Sequence, residues 1–157
     1  MVYLATDHAG FELKEKVKEF LKKEGYEVED FGAHEFNKDD DYPDFISKAA
    51  EAVSKDPNSK AIIFGHSGQG EAMVANKFPN IRAAVFYGNA EMIPLTREHN
   101  DANILSLGAR FLTEDEAFEA VKLWLETPFT EEERHVRRIE KISKLDTGVL
   151  KKIEKNI

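Results

Sequence analysis

Apolar residues in this chain follow two spacings that alternate from end to end. Short unbroken apolar runs bounded by polar residues mark strands buried on both faces, and apolar positions three and four apart mark helices packed on one side. Val2–Thr6 is the first run, and a helix with Leu13, Val17, Phe20 and Leu21 on its inner face follows until Gly25 stops it. Tyr26–Phe31 predicts a second, short strand. An acidic loop, Asn37–Asp41, leads to Tyr42-Pro43-Asp44. Pro43 is placed to open a helix over roughly Asp44–Ser54, which Pro57 and Asn58 end. Ala61–Phe64 is the third strand, and Glu71–Lys77 reads as the helix after it. Pro79-Asn80 closes that helix, and Ile81–Tyr87 is a fourth strand. The next helix, Asn89–Glu98, contains Pro94, which marks either a kink or a late start. Asn103–Leu107 is the fifth strand. Thr113 with Glu116 resembles a capping box for a helix that carries Phe118, Val121, Trp124 and Leu125. From Thr130 to about Asn156 the pattern is helical and highly charged, with Gly148 its weak point.

Strands that alternate with helices predict a parallel sheet covered on both faces. The expected fold is α/β: a Rossmann-like three-layer α/β/α sandwich with a five-stranded parallel sheet and a C-terminal helix. No repeat, linker or low-complexity tract divides the chain, so residues 1–157 are expected to form one domain with a helical extension from about 130. Ligands of such folds bind beyond the carboxyl ends of the strands. Asp7-His8, Gly65–Glu71 and Gly108–Arg110 should therefore share one rim.

The densest of these segments is Ala61–Lys77, AIIFGHSGQGEAMVANK. Gly65, Gly68 and Gly70 stand between the third strand and its helix, with His66, Ser67 and Gln69 among them. Such a turn leaves backbone N–H groups free to hold an anion or an oxyanion. Its spacing matches neither the dinucleotide G-x-G-x-x-G nor G-x-x-x-x-G-K-[ST]. A plain strand-to-helix turn is the competing reading. Glu71, directly after the last glycine, is placed to reach back into the turn as a base, or to act only on the helix dipole.

Composition narrows the functional classes. With 30 acidic against 22 basic residues the net charge is −8, which argues against a nucleic-acid groove. Zero cysteines exclude disulfides, cysteine–metal sites and a cysteine nucleophile, and suit a cytoplasmic protein. MVYLATDHAG turns polar too soon for a signal peptide, and no apolar run approaches membrane length.

The remaining candidate chemistry lies in histidines and arginines. His8 follows Asp7 at the end of the first strand, on the ligand-binding rim. His99-Asn100-Asp101 is a polar cluster before the fifth strand and reads equally as a capping turn. Arg134, His135, Arg137 and Arg138 crowd the start of the last helix beside Glu131–Glu133. Positions 134, 135 and 138 share a helical face suited to a phosphate dianion, the alternative being a solvated charged face. His8, His99 and His135 show no H-x-x-x-H or H-E-x-x-H spacing and the acids are dispersed, so no metal is expected.

Six segments in this order are similar to the ribose-5-phosphate isomerase B family, which includes the galactose-6-phosphate isomerase subunits. They are TDHAGFELK (6–14), DYPD (41–44), GHSGQGEAMVANK (65–77), HND (99–101), NILSLGAR (103–110) and RHVRRIEKI (134–142). The similarity runs from Val2 to about Lys144. It implies an aldose–ketose isomerase acting on a phosphorylated sugar through an enediolate, without metal or redox cofactor. Many members carry a cysteine at the place of Gly65, and others use a glutamate just after the glycine loop. Zero cysteines and the presence of Glu71 agree on Glu71 as the base.

Further roles are implied by the same resemblance. His99 would assist opening of the cyclic sugar, with Asp7 on a hydroxyl. Ser67 and the amides of the Gly65–Gly70 loop would hold the enediolate charge, and Asn100 would bond the same region. His8, Arg110, Arg134 and Arg138 would grip the phosphate, and Tyr42 would line the sugar site. The family is at least dimeric with sites shared between subunits, so a homodimer or dimer of dimers is expected. Ribose 5-phosphate is the expected substrate. The competing readings are a hexose 6-phosphate isomerase, a non-catalytic sugar-phosphate binding module and, more remotely, a nucleotide-binding protein. Many relatives carry glycine at the position of His66.

Overall fold

The structure, a computed structural model, describes residues 1–154. Five strands form one parallel sheet: β1 (Val2–Thr6), β2 (Val28–Asp30), β3 (Lys60–Gly65), β4 (Ala83–Phe86) and β5 (Ile104–Gly108). Their order across the sheet is β2-β1-β3-β5-β4. The helices are α1 (Phe11–Lys23), α2 (Pro43–Lys55), α3 (Gln69–Ala75), α4 (Met92–Glu98), α5 (Glu114–Glu126) and α6 (Glu133–Glu154). Short 3-10 turns, His8–Gly10 and Ala109–Phe111, follow β1 and β5.

Successive side chains of a strand point to opposite faces, and the two cores divide accordingly. Ile62 and Phe64 of β3 join Leu4, Val17, Leu21, Leu105, Val121 and Trp124 on the face covered by α1, α4 and α5. Ala61 and Ile63 join Ile46, Ala49, Ala50, Val53 and Ala75 on the face covered by α2 and α3. The expected three-layer sandwich is present, and its continuous apolar runs have that cause.

The boundaries depart from the sequence pattern where side chains or turns intercept the ladder. β2 begins at Val28, not Tyr26, because Gly25 adopts a positive φ of 87° and the Tyr26 N–H turns back to the Leu21 carbonyl. β4 begins at Ala83, not Ile81, because the Asn103 side chain takes the Arg82 N–H at 2.8 Å. Pro94 sits in the first turn of α4, so it marks a late start and not a kink. The capping box of α5 is formed, with Thr113 Oγ1 accepting from the Glu116 N–H at 3.2 Å and the Thr113 N–H donating to Glu116 Oε2 at 2.7 Å. Gly148 does not interrupt α6, and its expected end near Asn156 lies outside the described residues. Among the described residues no helix is long and apolar enough to cross a membrane.

Candidate active site

The carboxyl ends of β1, β3 and β5 are adjacent in the sheet, and their loops converge as expected. After β1, Asp7 caps the 3-10 turn by accepting the Ala9 N–H at 2.9 Å. After β3, Gly68 takes φ 75° to cap α3, a conformation that favours glycine. Ser106 Oγ donates to the Gly68 carbonyl at 2.6 Å and anchors the loop to β5. Ser67 Oγ accepts the Gln69 N–H at 3.3 Å. Arg110 donates its backbone N–H to the His66 carbonyl at 3.1 Å while its side chain stays exposed. His66 is exposed and stands edge-on to Phe111, ring centres 6.0 Å apart.

Glu71 occupies the third position of α3, from which a side chain folds back toward the helix start. It is buried, and its carboxyl lies over Gly65, where a Cβ would stand 1.8 Å from Oε1. Gly65 is thus required by close approach, and in this backbone a side chain at 65 and the Glu71 carboxylate exclude one another. Burial pushes the Glu71 carboxyl above the usual carboxylate range; the Asp7 charge adds to the rise, while its own N–H and His66 oppose it. Asp7, also buried, is raised chiefly by burial. Half-buried Tyr42 reaches the same loop: a Cβ on Gly70 would meet its Oη at 2.8 Å. These groups make a partly desolvated base beside loop amides, the arrangement proton abstraction next to a carbonyl requires.

His8 is held by Asp40, its Nδ1 2.6 Å from Asp40 Oδ1. That bond raises the His8 imidazole above the ordinary histidine range; slight burial opposes the rise, and the charges of Asp7, Asp40 and Asp39 reinforce it. Asp7, His8 and Asp40 bring potential ligand atoms within 4.8 Å of one another, a cluster that histidine spacing alone does not reveal. Nδ1 is already engaged with the Asp40 carboxylate. Asp40 itself carries no motif, and its only sequence signal is the acidic character of the loop before Tyr42.

The other half of the expected site lies elsewhere. α4 runs back from the carboxyl rim, so His99, Asn100 and Asp101 precede β5 at the opposite end of the sheet. Five residues of β5 separate the two ends, roughly 16 Å at ~3.3 Å per residue. Asp101 is held there between Arg97 Nη1 at 2.7 Å and Arg82 Nη2 at 3.1 Å. Arg97 lies four positions before Asp101 and Arg82 nineteen; neither was among the sequence candidates. His99 stacks on His135, ring centres 4.4 Å apart at 17°. Arg134 and Arg138 are exposed on α6, whereas His135 is buried beneath His99. His135 therefore does not share the exposed face with the arginines: a residue one position from Arg134 is turned about 100° around the helix axis, here toward the core. Burial, with the neighbouring His99, Arg134 and Arg138, pushes the His135 imidazole down.

Known proteins share this sequence pattern and this fold. Residues 2–142 match the model of the Ribose/Galactose Isomerase family. Ribose-5-phosphate isomerase B of Mycobacterium tuberculosis is 43% identical over 139 residues, covering 88% of this chain and 85% of that protein. The structure of Clostridium thermocellum ribose-5-phosphate isomerase B superposes with a TM-score of 0.89 at 44% identity, covering 94% of this chain and 98% of the other. That of Mycoplasma genitalium ribose-5-phosphate isomerase B, solved with bound ribulose-5-phosphate, gives 0.89 at 35% identity, covering 93% and 95%. With the fold, its five-strand order and the relatives in agreement, the chain belongs to the ribose/galactose isomerase family.

Proposed function

We propose that this chain is an aldose–ketose isomerase that interconverts ribose 5-phosphate and ribulose 5-phosphate, with Glu71 as the base. The observation that carries the reading is the buried Glu71 carboxyl folded over Gly65 at the mouth of the glycine loop. Ionised Glu71 removes the proton from carbon 2 of the open aldose, and the electron pair moves onto the carbonyl oxygen at carbon 1. The enediolate charge is held by Ser67 and the loop amides. Glu71 returns the proton to carbon 1, and the hydroxyl proton of carbon 2 moves to the oxygen on carbon 1, leaving a ketone. A raised carboxyl is a stronger base than an exposed one, which suits proton transfer near neutral pH. His8 and Arg110 hold the phosphate from this rim.

His99, Asn100, Arg134 and Arg138 enter the site from a second copy of the chain. Their distance from Glu71 within one chain supports this, as does the exposure of Met73, Tyr87, Met92 and Leu95 around α3, β4 and α4. The functional unit is then a homodimer, or a dimer of dimers, of a single 1–157 domain acting in the cytoplasm.

Two experiments test this. In deuterated water, conversion of ribose 5-phosphate should place label at carbon 1 of the ketose, and the same assay should include hexose 6-phosphates. No turnover of ribose 5-phosphate, or faster turnover of a hexose phosphate, would overturn the substrate assignment. Glu71→Gln and His99→Ala chains should each be nearly inactive alone. Mixed in equal amounts with full subunit exchange, they should recover about a quarter of wild-type activity, because half the dimers carry one intact site of two. No recovery in a mixture shown to contain heterodimers would refute the shared site.

A further inference from the structure

The loop between β2 and α2 turns one acidic residue inward while its neighbours Asp39 and Asp41 stay exposed. Asp40 Oδ1 accepts two hydrogen bonds from a single residue, the His8 backbone N–H at 3.0 Å and the His8 ring at 2.6 Å. A nitrogen and a carboxylate oxygen this close share a proton, so Nδ1 is the protonated ring nitrogen. The Asp40 side chain is 8% exposed, and Oδ2 is buried without a hydrogen-bond partner among the described residues. Leaving a buried carboxylate oxygen unpaired is costly, and a loop residue with no task would turn to water as its neighbours do. Asp7 Oδ2 lies 3.9 Å from the same Nδ1, so two carboxylates flank one side of the ring. Phe36 stands edge-on to it, centres 6.1 Å apart at 88°. Of the charged groups nearby, Asp39 faces His8 from the same loop, and Glu12, Glu15 and Lys16 of α1 line the adjoining cleft. The His8 side chain remains 33% exposed, so a ligand can reach the ring, whose Nδ1 is taken by Asp40.

We propose that Asp40 is a positioning residue: it fixes the His8 ring with Nδ1–H toward the loop and so presents the Nε2–H of a cationic imidazole to the phosphate group of the substrate. The inference rests on the phosphate-binding role of His8 given above and adds the residue that confers it. A competing role is purely structural. Asp40 lies two positions before Tyr42, which packs on Gly70, so it also pins the loop that carries Tyr42.

The test uses the full chain, ¹⁵N-labelled, as wild type and Asp40→Asn, with His8→Ala and the double variant for kinetics. Imidazole ¹⁵N shifts should show wild-type His8 protonated on Nδ1 and still cationic above pH ~6.5, the ordinary histidine value. Asp40→Asn should lower its titration midpoint by about one unit or more. KM for ribose 5-phosphate should rise about tenfold in Asp40→Asn, the scale of one charged hydrogen bond. The double variant should be no worse than His8→Ala alone, since Asp40 acts through His8. An unchanged His8 titration in Asp40→Asn, a neutral Nε2-protonated ring in wild type, or KM losses that multiply in the double variant would each overturn the proposal. The wild-type spectrum decides by itself if the variant does not fold. Inorganic phosphate separates this from the wider reading. If it shifts His8 Nε2 while ribose 5-phosphate is not turned over, the substrate assignment fails and the positioning role stands. If ribose 5-phosphate is turned over and phosphate leaves Nε2 unmoved, the positioning role fails.

Discussion

Alanine at position 65 adds one methyl group at the place where the Glu71 carboxyl lies. Its Cβ would stand 1.8 Å from Oε1, 2.0 Å from Cδ and 2.5 Å from Oε2. Ordinary contact begins near 3.4 Å, so the carboxyl must retreat by 3.4 − 1.8 = 1.6 Å. The three atoms nearest the methyl all belong to the far end of one flexible side chain, and the backbone at 65 lies outside the positive-φ region. The fold should therefore tolerate the change. Removing glycine from the unfolded chain even favours folding by ~0.4–1 kcal/mol. Catalysis should not tolerate it. A misplacement of about 1 Å costs ~10²-fold, and complete loss of a general base ~10²–10⁴-fold. Gly65→Ala should accordingly lower kcat at least about a hundredfold at an unchanged or higher Tm. Gly10→Ala is the contrasting variant: its Cβ would meet Phe64 Cβ and Thr6 Oγ1 at 2.5 Å, packed groups that cannot retreat, and there Tm should fall. Initial rates of ketose formation together with thermal melts decide the matter. A Gly65→Ala protein that melts normally and keeps more than about a tenth of the wild-type rate would show that Glu71 is not the base.

Three further expectations follow from the same geometry. Glu71→Gln should raise Tm at pH 7 while abolishing turnover. The folded carboxyl is raised, so its ionisation costs stability above that pKa; the gain should fade as pH drops through it, at ~2–4 °C of Tm per kcal/mol. Asp30→Asn should cost roughly 1.5–3 kcal/mol, because fully buried Lys14 loses its 2.6 Å partner while it keeps Glu15 and the Ala33 carbonyl at 2.8 Å, and urea melts would measure it. Although burial pushes Asp30 up, Lys14, Lys18 and the Gly32 N–H hold it below its ordinary value. Its stabilisation is present above the unfolded pKa and is lost as acid titrates the folded group, so the wild-type advantage should vanish at low pH. Arg134→Ala or Arg138→Ala should raise KM with little change in kcat, each charged hydrogen bond being worth ~1.5–3 kcal/mol. Unchanged KM in both would leave α6 as a solvated helix face.

The centre of the sheet was legible because β1, β3 and β5 are buried on both faces and read as largely apolar runs; Ala61–Phe64 within β3 is the clearest case. The rim followed from topology alone, since Asp7, Gly65 and Arg110 all stand just beyond or at strand ends. What escaped was decided by contacts between distant positions. Asp40 reads as one acid among several until the loop folds onto the turn after β1. The burial of His135 depends on His99, and the Arg82–Asp101–Arg97 clasp joins two elements that local pattern cannot connect. The late start of β2 has a nearer cause: the Tyr26 N–H bonds the Leu21 carbonyl five positions back, which takes Tyr26 out of the strand.

The crowding of Gly65 against Glu71 also governs how such a site changes over generations. A side chain at 65 and a working carboxyl from 71 compete for one volume, so a newcomer at 65 evicts the incumbent in the generation it arises. Neither group can be carried in reserve behind the other. A lineage that exchanges a glutamate base for a cysteine at this place crosses in one step, and the new residue must work from its first appearance. Substitutions at 65 and 71 should therefore be inherited as a pair, and a chimera that joins the halves of two such lineages between these positions would hold either both bases in conflict or none at all.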